Sequence, residues 1–462
     1  MRKGTAGGDE GRERSPRHDV TFGAAVRVWI KIAALSFGGP AGQIAVMQRI
    51  LVDEKRWISQ RRFLHALNYC MLLPGPEAQQ LATYVGWLLH GWRGGLAAGT
   101  LFVLPGFLSI LALSVLYARY QELPAVEALF FGLKAAVLAV VIEALGRIGR
   151  RALTSSVSVG IAAAAFVAIF FFEVPFPFII VAAGLAGWLG EHLRPGLFLA
   201  AESDVGQDDR RPIDDRAAWE GRPPLRRLLS VGPVWIALWL LSFVLVAATL
   251  GRGHVLFTQA VFFSKTAIVT FGGAYAVLAY IAQEAVETYG WLRPGEMLDG
   301  LGMAETTPGP LIQVVQFVGF LGAYRQPGPL DPMTAGLLGA VITTWVTFVP
   351  CFLWIFAGAP YVEWLRGKRG PSAALAGITA AVVGVILNLA VWFALHVLFE
   401  RVSERRAFGV RILVPDWSTL EPWALALALT AFVALFFLRL GMIRTLVAVA
   451  ALGMVVNLVL RG

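Results

Sequence analysis

Charge is what this chain most lacks. Asp, Glu, Lys and Arg make up 15% of its 462 residues, whereas 57% are hydrophobic. A soluble domain carries about 25% charge, so a water-soluble fold is excluded. Cysteine is nearly absent. Cys70 and Cys351 both lie in apolar surroundings, which excludes a disulfide scaffold and leaves no Cys/His spacing for zinc. His65, His90 and His396 are scattered and read as interfacial or packing residues. No nucleophile elbow, phosphate-binding glycine loop with lysine or nucleotide-binding domain occurs, so ATP-driven transport by this chain alone is excluded. No metal or cofactor is called for.

What is present is apolar sequence of membrane-spanning length. Runs near or above ~18 residues recur from Leu96 to Leu460, the signature of a polytopic membrane protein in a lipid bilayer. The net charge of +9 is spread between the apolar runs. It fits the positive-inside bias and anionic lipids and argues against nucleic acid as a partner. Residues 1–20 are polar, with no apolar h-region, and read as a disordered cytoplasmic tail rather than a signal peptide.

Helix breakers recur at fixed places. Phe37-Gly38-Gly39 is followed by Pro74-Gly75-Pro76, and Phe271-Gly272-Gly273 by Pro308-Gly309-Pro310, an offset of 234 for both signatures (271 against 37, 308 against 74). Aligning 31–79 with 265–313 without a gap gives 14 identities in 49 positions, including Lys31/Lys265, Trp57/Trp291 and Gln79/Gln313. Further on the offset grows to 245, so that Pro105-Gly106-Phe107 meets Pro350-Cys351-Phe352 and Gly132 meets Gly377. The insertion is placed in the loop Arg325–Pro332. The chain therefore divides into a tail (1–20), a first repeat (21–195), a polar linker (196–231), a connecting transmembrane helix (232–254) and a second repeat (255–462). Continuous spans are expected at 96–117, 125–146, 157–172, 176–193, 232–251, 334–357, 372–398, 422–438 and 442–460.

Loop charge orients the halves. Segment 49–62 is basic and its counterpart 283–296 acidic, so they are expected on opposite sides. Clusters Arg147-Arg150-Arg151 and Arg366-Lys368-Arg369 read as cytoplasmic. Counting seven spans between equivalent points, an odd number, gives an inverted-topology repeat. Full crossing by the signature segments would put both loops on the wrong side. Re-entrant helix pairs bent at the breaks remove that conflict, in a polytopic all-α fold.

Breaks at corresponding places in two hydrophobic halves point to a transporter's binding site. A helix restarting after Pro76 or Pro310 presents free N–H groups and a dipole of roughly +0.5 charge to an anion. The alternative is a packing kink. Gly38-Gly39 and Gly272-Gly273 read as backbone lining the site or as close helix packing. Lys31 and Lys265 read as cations facing an anion path or as snorkelling side chains. Gln79 and Gln313 can donate to an oxyanion or bond between helices; Gln43 joins the candidate binding set. Glu77, Glu143 and Glu305 are the candidate proton-coupling acids. Glu77 has the dipole-complementing alternative, and Glu143 the alternative of an i,i+4 pair with Arg147. Lys134 lines the path or pairs with Glu143.

These signatures, LSFGGPAGQIAVMQ with LLPGPEAQQLATYVGWLLHG and VTFGGAYAVLAYI with TTPGPLIQVVQFVGF, resemble those of the chromate transporter (CHR) superfamily in its long-chain, two-domain form. The likeness covers about 22 to 460. It implies a multi-pass bacterial inner-membrane exporter of chromate or a sulfate-like oxyanion, powered by membrane potential or a proton gradient. It leaves a homodimer open. The second half departs at Ala274 for Pro40, Val277 for Gln43 and Leu311 for Glu77, so the halves are expected to contribute unequally. A membrane scaffold or membrane-embedded enzyme is the reading from another class.

Overall fold

The computed structural model describes residues 20–37, 39–196, 225–271, 274–365, 369–407 and 409–461. Gly38, Gly272, Gly273, most of the tail and the bulk of the linker lie outside the described residues. Helices are α1 Phe22–Leu35, α2 Gly39–Gln48, α3 Gln60–Leu72, α4 Glu77–Tyr120, α5 Pro124–Ala152, α6 Ser156–Phe172, α7 Phe176–Leu193 and α8 Leu225–Thr249. They continue as α9 Val255–Val269, α10 Ala274–Gln283, α11 Glu296–Thr306, α12 Val314–Arg325, α13 Pro332–Leu365, α14 Arg369–Leu398, α15 Pro422–Phe436 and α16 Met442–Val455. Among the described residues, α4, α5, α7, α8, α13, α14 and α16 are long and apolar enough to cross a membrane. The spans expected at 157–172 and 422–438 are the shorter helices α6 and α15, of 17 and 15 residues. Five helices lie between Gly91 and Val255 (the second arm of α4, then α5 to α8), at the five spans the sequence reading places in that interval.

The all-α expectation needs one correction. Strands β1 Val402–Ala407 and β2 Val410–Pro415 form an antiparallel hairpin between α14 and α15. Gly409 at φ +77° supplies the backbone its turn requires. Arg411 in β2, only 3% exposed, pairs with Glu173 after α6 (3.0 Å) and Glu287 after α10 (3.3 Å), tying the hairpin to both halves.

Each signature segment folds back on itself. Lys31 and Glu54 are 23 residues apart. A straight helix would separate them by about 35 Å, yet Lys31 Nζ donates to Glu54 Oε2 at 2.9 Å. Phe262 on α9 and Tyr289 beyond α10 have ring centroids 5.3 Å apart. Arg325 at the end of α12 bonds Glu296 at the start of α11 at 2.6 Å. The open ends also meet: His90 Nε2 lies 2.7 Å from Val20 O, and His254 Nε2 lies 3.1 Å from Pro327 O. In α4 the turn between arms is the non-helical pair His90–Gly91, inside what runs on as one helix. In the second half it is the loop between α12 and α13, where the sequence places the insertion.

The halves interlock. α6 and α7 of the first pack on α14 of the second, and α15 and α16 of the second pack on α5 of the first. The repeat-equivalent glycines make these crossings close. A Cβ on Gly132 would lie 2.5 Å from Val449 O, and one on Gly377 2.4 Å from Ala183 O. Those neighbours are backbone and cannot swing aside. Gly132→Leu is expected to destabilise the protein by about 1–3 kcal/mol, read as a lowered unfolding midpoint in detergent, whereas Gly146→Leu, in open space, is expected to leave it unchanged.

Candidate functional site

The breaks of one half meet the breaks of the other. Gly309 N donates to Ser36 O at 2.9 Å, and Gly75 N donates to Thr270 O at 2.8 Å. Ser36 and Thr270 are equivalent positions, as are Gly75 and Gly309. Each Pro-Gly-Pro thus holds the residue ahead of the opposite Phe-Gly-Gly. Both glycines have the same positive φ, +114° and +117°, a region closed to L side chains. The following helices pack against the same points. A Cβ on Gly309 would lie 2.7 Å from Gly106 Cα, and one on Gly75 2.8 Å from Cys351 Sγ. Gly106 and Cys351 are the pair aligned at the 245 offset, so the sequence repeat is a repeat of contacts.

Two junctions result, each joining two helix N-termini. At the first, α2 starts at Gly39 beside the short 3₁₀ turn Leu311–Gln313 that leads into α12; a Cβ on Gly39 would lie 3.9 Å from Leu311 Cδ2. At the second, α4 starts at Glu77 and α10 at Ala274. First-turn N–H groups lack intrahelical partners and carry the positive end of the dipole.

The lining is asymmetric. At the first junction Gln43 Nε2 donates to Gly309 O at 2.6 Å. Gln313 Nε2 donates to Gln316 Oε1 (2.5 Å) and Thr344 Oγ1 (3.1 Å). The Tyr275 hydroxyl donates to Glu305 Oε1 and lies 3.7 Å from where a Cβ of Gly39 would be. At the second junction Glu77 is buried, and its carboxyl accepts its own backbone N–H. Gln79 Nε2 donates to Thr83 Oγ1 at 3.2 Å, and Gln80 Nε2 to Pro74 O at 2.7 Å. Glu77 Oε2, Gln79 Oε1, Gln80 Oε1, Glu305 Oε2 and Gln313 Oε1 are buried without a hydrogen-bond partner among the described residues. Such groups are costly to leave unpaired.

Other candidates lie elsewhere. Lys31 sits on the exposed face of α1, opposite its buried stripe of Ala25, Val28, Trp29 and Ile32, and its ion pair holds the Glu54 carboxyl below the usual range. Lys265 is likewise exposed. Both lysines are exposed rather than packed at the junctions. Glu143 pairs with Arg147 at 3.4 Å, its i,i+4 alternative. Lys134 pairs not with Glu143 but with the buried Asp299 (3.3 Å), which also accepts from Tyr117 (2.8 Å). Sequence reasoning missed Tyr275, Asp299, Gln80 and Gln316. The available signal was a polar residue inside an apolar stretch, which Tyr275 and Gln80 both show.

Two interlocked halves of membrane-length helices, broken at paired sites in the interior, define a polytopic membrane transporter. The chain belongs to the chromate transporter family, whose profile matches residues 24–188 and 257–455; it is a transporter and not an enzyme. It is 32% identical over 403 residues, 86% of each chain, to a chromate transport protein of Pseudomonas aeruginosa. It is 27% identical over 382 residues to a chromate transport protein of Cupriavidus metallidurans, covering 81% of this chain and 83% of that one. To a probable chromate transport protein of Synechococcus elongatus it is 28% identical over 377 residues, 79% and 82% of the two chains. No solved structure matches it.

Gly309→Ala puts a side chain into a positive-φ site already filled by Gly106. It is expected to cost on the order of 2–4 kcal/mol, read as a lowered unfolding midpoint with membrane insertion retained.

Proposed function

We propose that the chain exports a tetrahedral divalent oxyanion, chromate or a sulfate-like anion, across the bacterial inner membrane by alternating access of two inverted repeats. The observation that carries this reading is the convergence of two helix N-termini at each interior junction. Such termini attract anions through unpaired N–H groups and aligned dipoles, and interior junctions between repeats are where transporters place their substrates. The relatives named for chromate transport supply the anion's class.

The positions of the open ends support re-entrant, inverted arms. The Arg411 pairs put the ends of α6 and α10 on one side with the β-hairpin. Following the turns back from α6 through α5 to α4 puts His90 and Val20 on the other. Each half thus opens its folded-back pairs to its own side, as five intervening helices require. The side of Val20 carries Arg49, Lys55, Arg56, Arg147, Arg150 and Arg151, and the positive-inside rule makes it cytoplasmic. Helix breaks at membrane depth are tolerated because the opposite half covers them.

The binding set in this reading is Gly39, Gln43, Pro308, Gly309, Pro310 and Gln313 at the first junction, and Pro74, Gly75, Pro76 and Gln79 at the second. Gly38, Gly272 and Gly273 join it by sequence position. Glu305 is the coupling acid, and Glu77, in the first turn of α4, takes its dipole-complementing alternative. Lys31, Lys265 and Glu143 are left out because of their exposed or local pairings.

Uptake of labelled chromate into inside-out vesicles or proteoliposomes tests the reading, with sulfate as competitor. Flux above empty vesicles is expected, and none would end the proposal. Gln43→Ala is expected to lower uptake about 10-fold, the worth of one good hydrogen bond, while Lys31→Ala stays within about twofold, as for an exposed ion pair.

A further inference from the structure

We propose that the anion crosses together with one proton, carried by Glu305 and positioned by Tyr275 at the first junction, so that one net negative charge leaves per cycle. The inference rests on the transport reading above and adds its charge balance.

The junction where Gly309 meets Ser36 holds an anionic side chain where an anion would bind. Glu305 is 1% exposed. Its Oε1 takes the Tyr275 hydroxyl, and its Oε2 has no partner among the described residues. The dyad reaches the N-terminus of α2 through the 3.7 Å approach of Tyr275 to Gly39. A carboxylate and a dianion in one low-dielectric pocket repel strongly. A proton on Oε2 removes that repulsion and turns the orphan acceptor into a donor. Tyr275 decides which oxygen takes the proton, because it already occupies the other.

Four of the cations in the two halves are already held in ion pairs. Lys134 is held by Asp299, Arg147 by Glu143, Arg325 by Glu296, and Lys31 by Glu54. The titratable groups whose charge is felt at Glu305 are Tyr275 on α10 and the Glu143–Arg147 pair on α5. α4, α12 and α16 also pack on α11. Their charged groups are Glu77, Arg93 and Arg119 on α4, Arg325 at the end of α12 and Arg444 at the start of α16.

The count of one proton follows from the asymmetry of the junctions. Glu77 stands in the first turn of α4, where the positive end of the helix dipole favours its carboxylate. Its repeat partner at the first junction is Leu311, which leaves α12 uncapped. Linkage then sets the sense of coupling: if the proton strengthens anion binding, the anion strengthens proton binding equally. The two travel the same way. The dianion and its proton carry one net negative charge, so an inside-negative potential drives export and an outside-acid pH gradient opposes it.

Proteoliposomes with the potential set by valinomycin and a tenfold K⁺ gradient, inside high, read the charge directly. At flux reversal and equal pH, one net charge gives a tenfold outward chromate ratio, two give a hundredfold and none gives unity. We expect tenfold, cancelled by one pH unit acid outside. Glu305→Gln mimics the protonated acid and is expected to give a hundredfold ratio that ignores pH. Tyr275→Phe is expected to keep the tenfold ratio and move the pH–flux profile to higher pH by about tenfold in proton concentration. A hundredfold, pH-insensitive ratio in the unaltered protein overturns the inference while leaving chromate transport standing. A ratio of unity also overturns it, since two protons then move. So does loss of pH dependence in Glu77→Gln but not in Glu305→Gln. Absence of any chromate flux fails the transport reading instead.

Discussion

Two backbone hydrogen bonds, Gly75 N to Thr270 O and Gly309 N to Ser36 O, are the constraint on which the rest of this protein depends. A helix that stops inside a membrane leaves carbonyls at one end and amides at the next start without partners, each costing several kcal/mol. Here the last turn before one half's break is satisfied by the first residues after the other half's break. Neither break is tolerable alone, because the groups that complete it belong to the opposite repeat. The same dependence continues outward, where α6 and α7 cover α14 and α15 and α16 cover α5. The halves are related in sequence, but each is completed by its counterpart, so two copies of one unit form a single folded body.

A symmetric frame with an asymmetric lining is the consequence. The frame positions, Gly75/Gly309, Ser36/Thr270 and Gly132/Gly377, do equivalent jobs in both halves. The polar side chains at the junctions do not repeat. Gln43 faces Val277 in the alignment, Tyr275 faces Ala41, Glu305 faces Met71 and Glu77 faces Leu311. Lys134, bound to Asp299, has Thr379 as its equivalent. The repeat builds two junctions of helix N-termini, and the departures from it make their linings different: Glu77 starts the helix at one, and the Glu305–Tyr275 pair lies at the other.

The breaks were legible in the sequence because proline and glycine act locally. Pro-Gly-Pro stops a helix wherever it stands, and a doubled stop survives divergence. Fold-back was legible through loop charge, since Arg49, Lys55 and Arg56 oppose Glu284 and Glu287. The exchange of partners between halves was not legible. Self-similarity says which residues are equivalent but not which copy meets which. The equivalence of Lys31 with Lys265 is real, and it marks an exposed helix face in both halves. Asp299 lies just past the acidic loop 283–296, and its partner Lys134 lies far away in the chain. The hairpin 402–415 was passed over because short strands with alternating charge carry little signal beside long apolar runs.

The placement of charge in this interior fits what transport demands of binding. A lysine or arginine fixed at the junctions would hold a divalent anion in low dielectric and release it slowly, and conduction across a membrane requires a site weak enough to leave. The described residues instead keep Lys134, Arg147 and Arg325 in ion pairs. In the proposed reading, attraction at the junctions comes from partial charges at helix ends, which need no counter-ion when the site is empty. A carboxyl beside such an end adds a term that switches with a single proton. When charged it competes with the anion, and when neutral it assists it. In the proposed mechanism Glu305 takes that place at the first junction, where Leu311 stands in the position that Glu77 holds at the second, and the asymmetry of the two repeats gives one junction a switch that the other lacks.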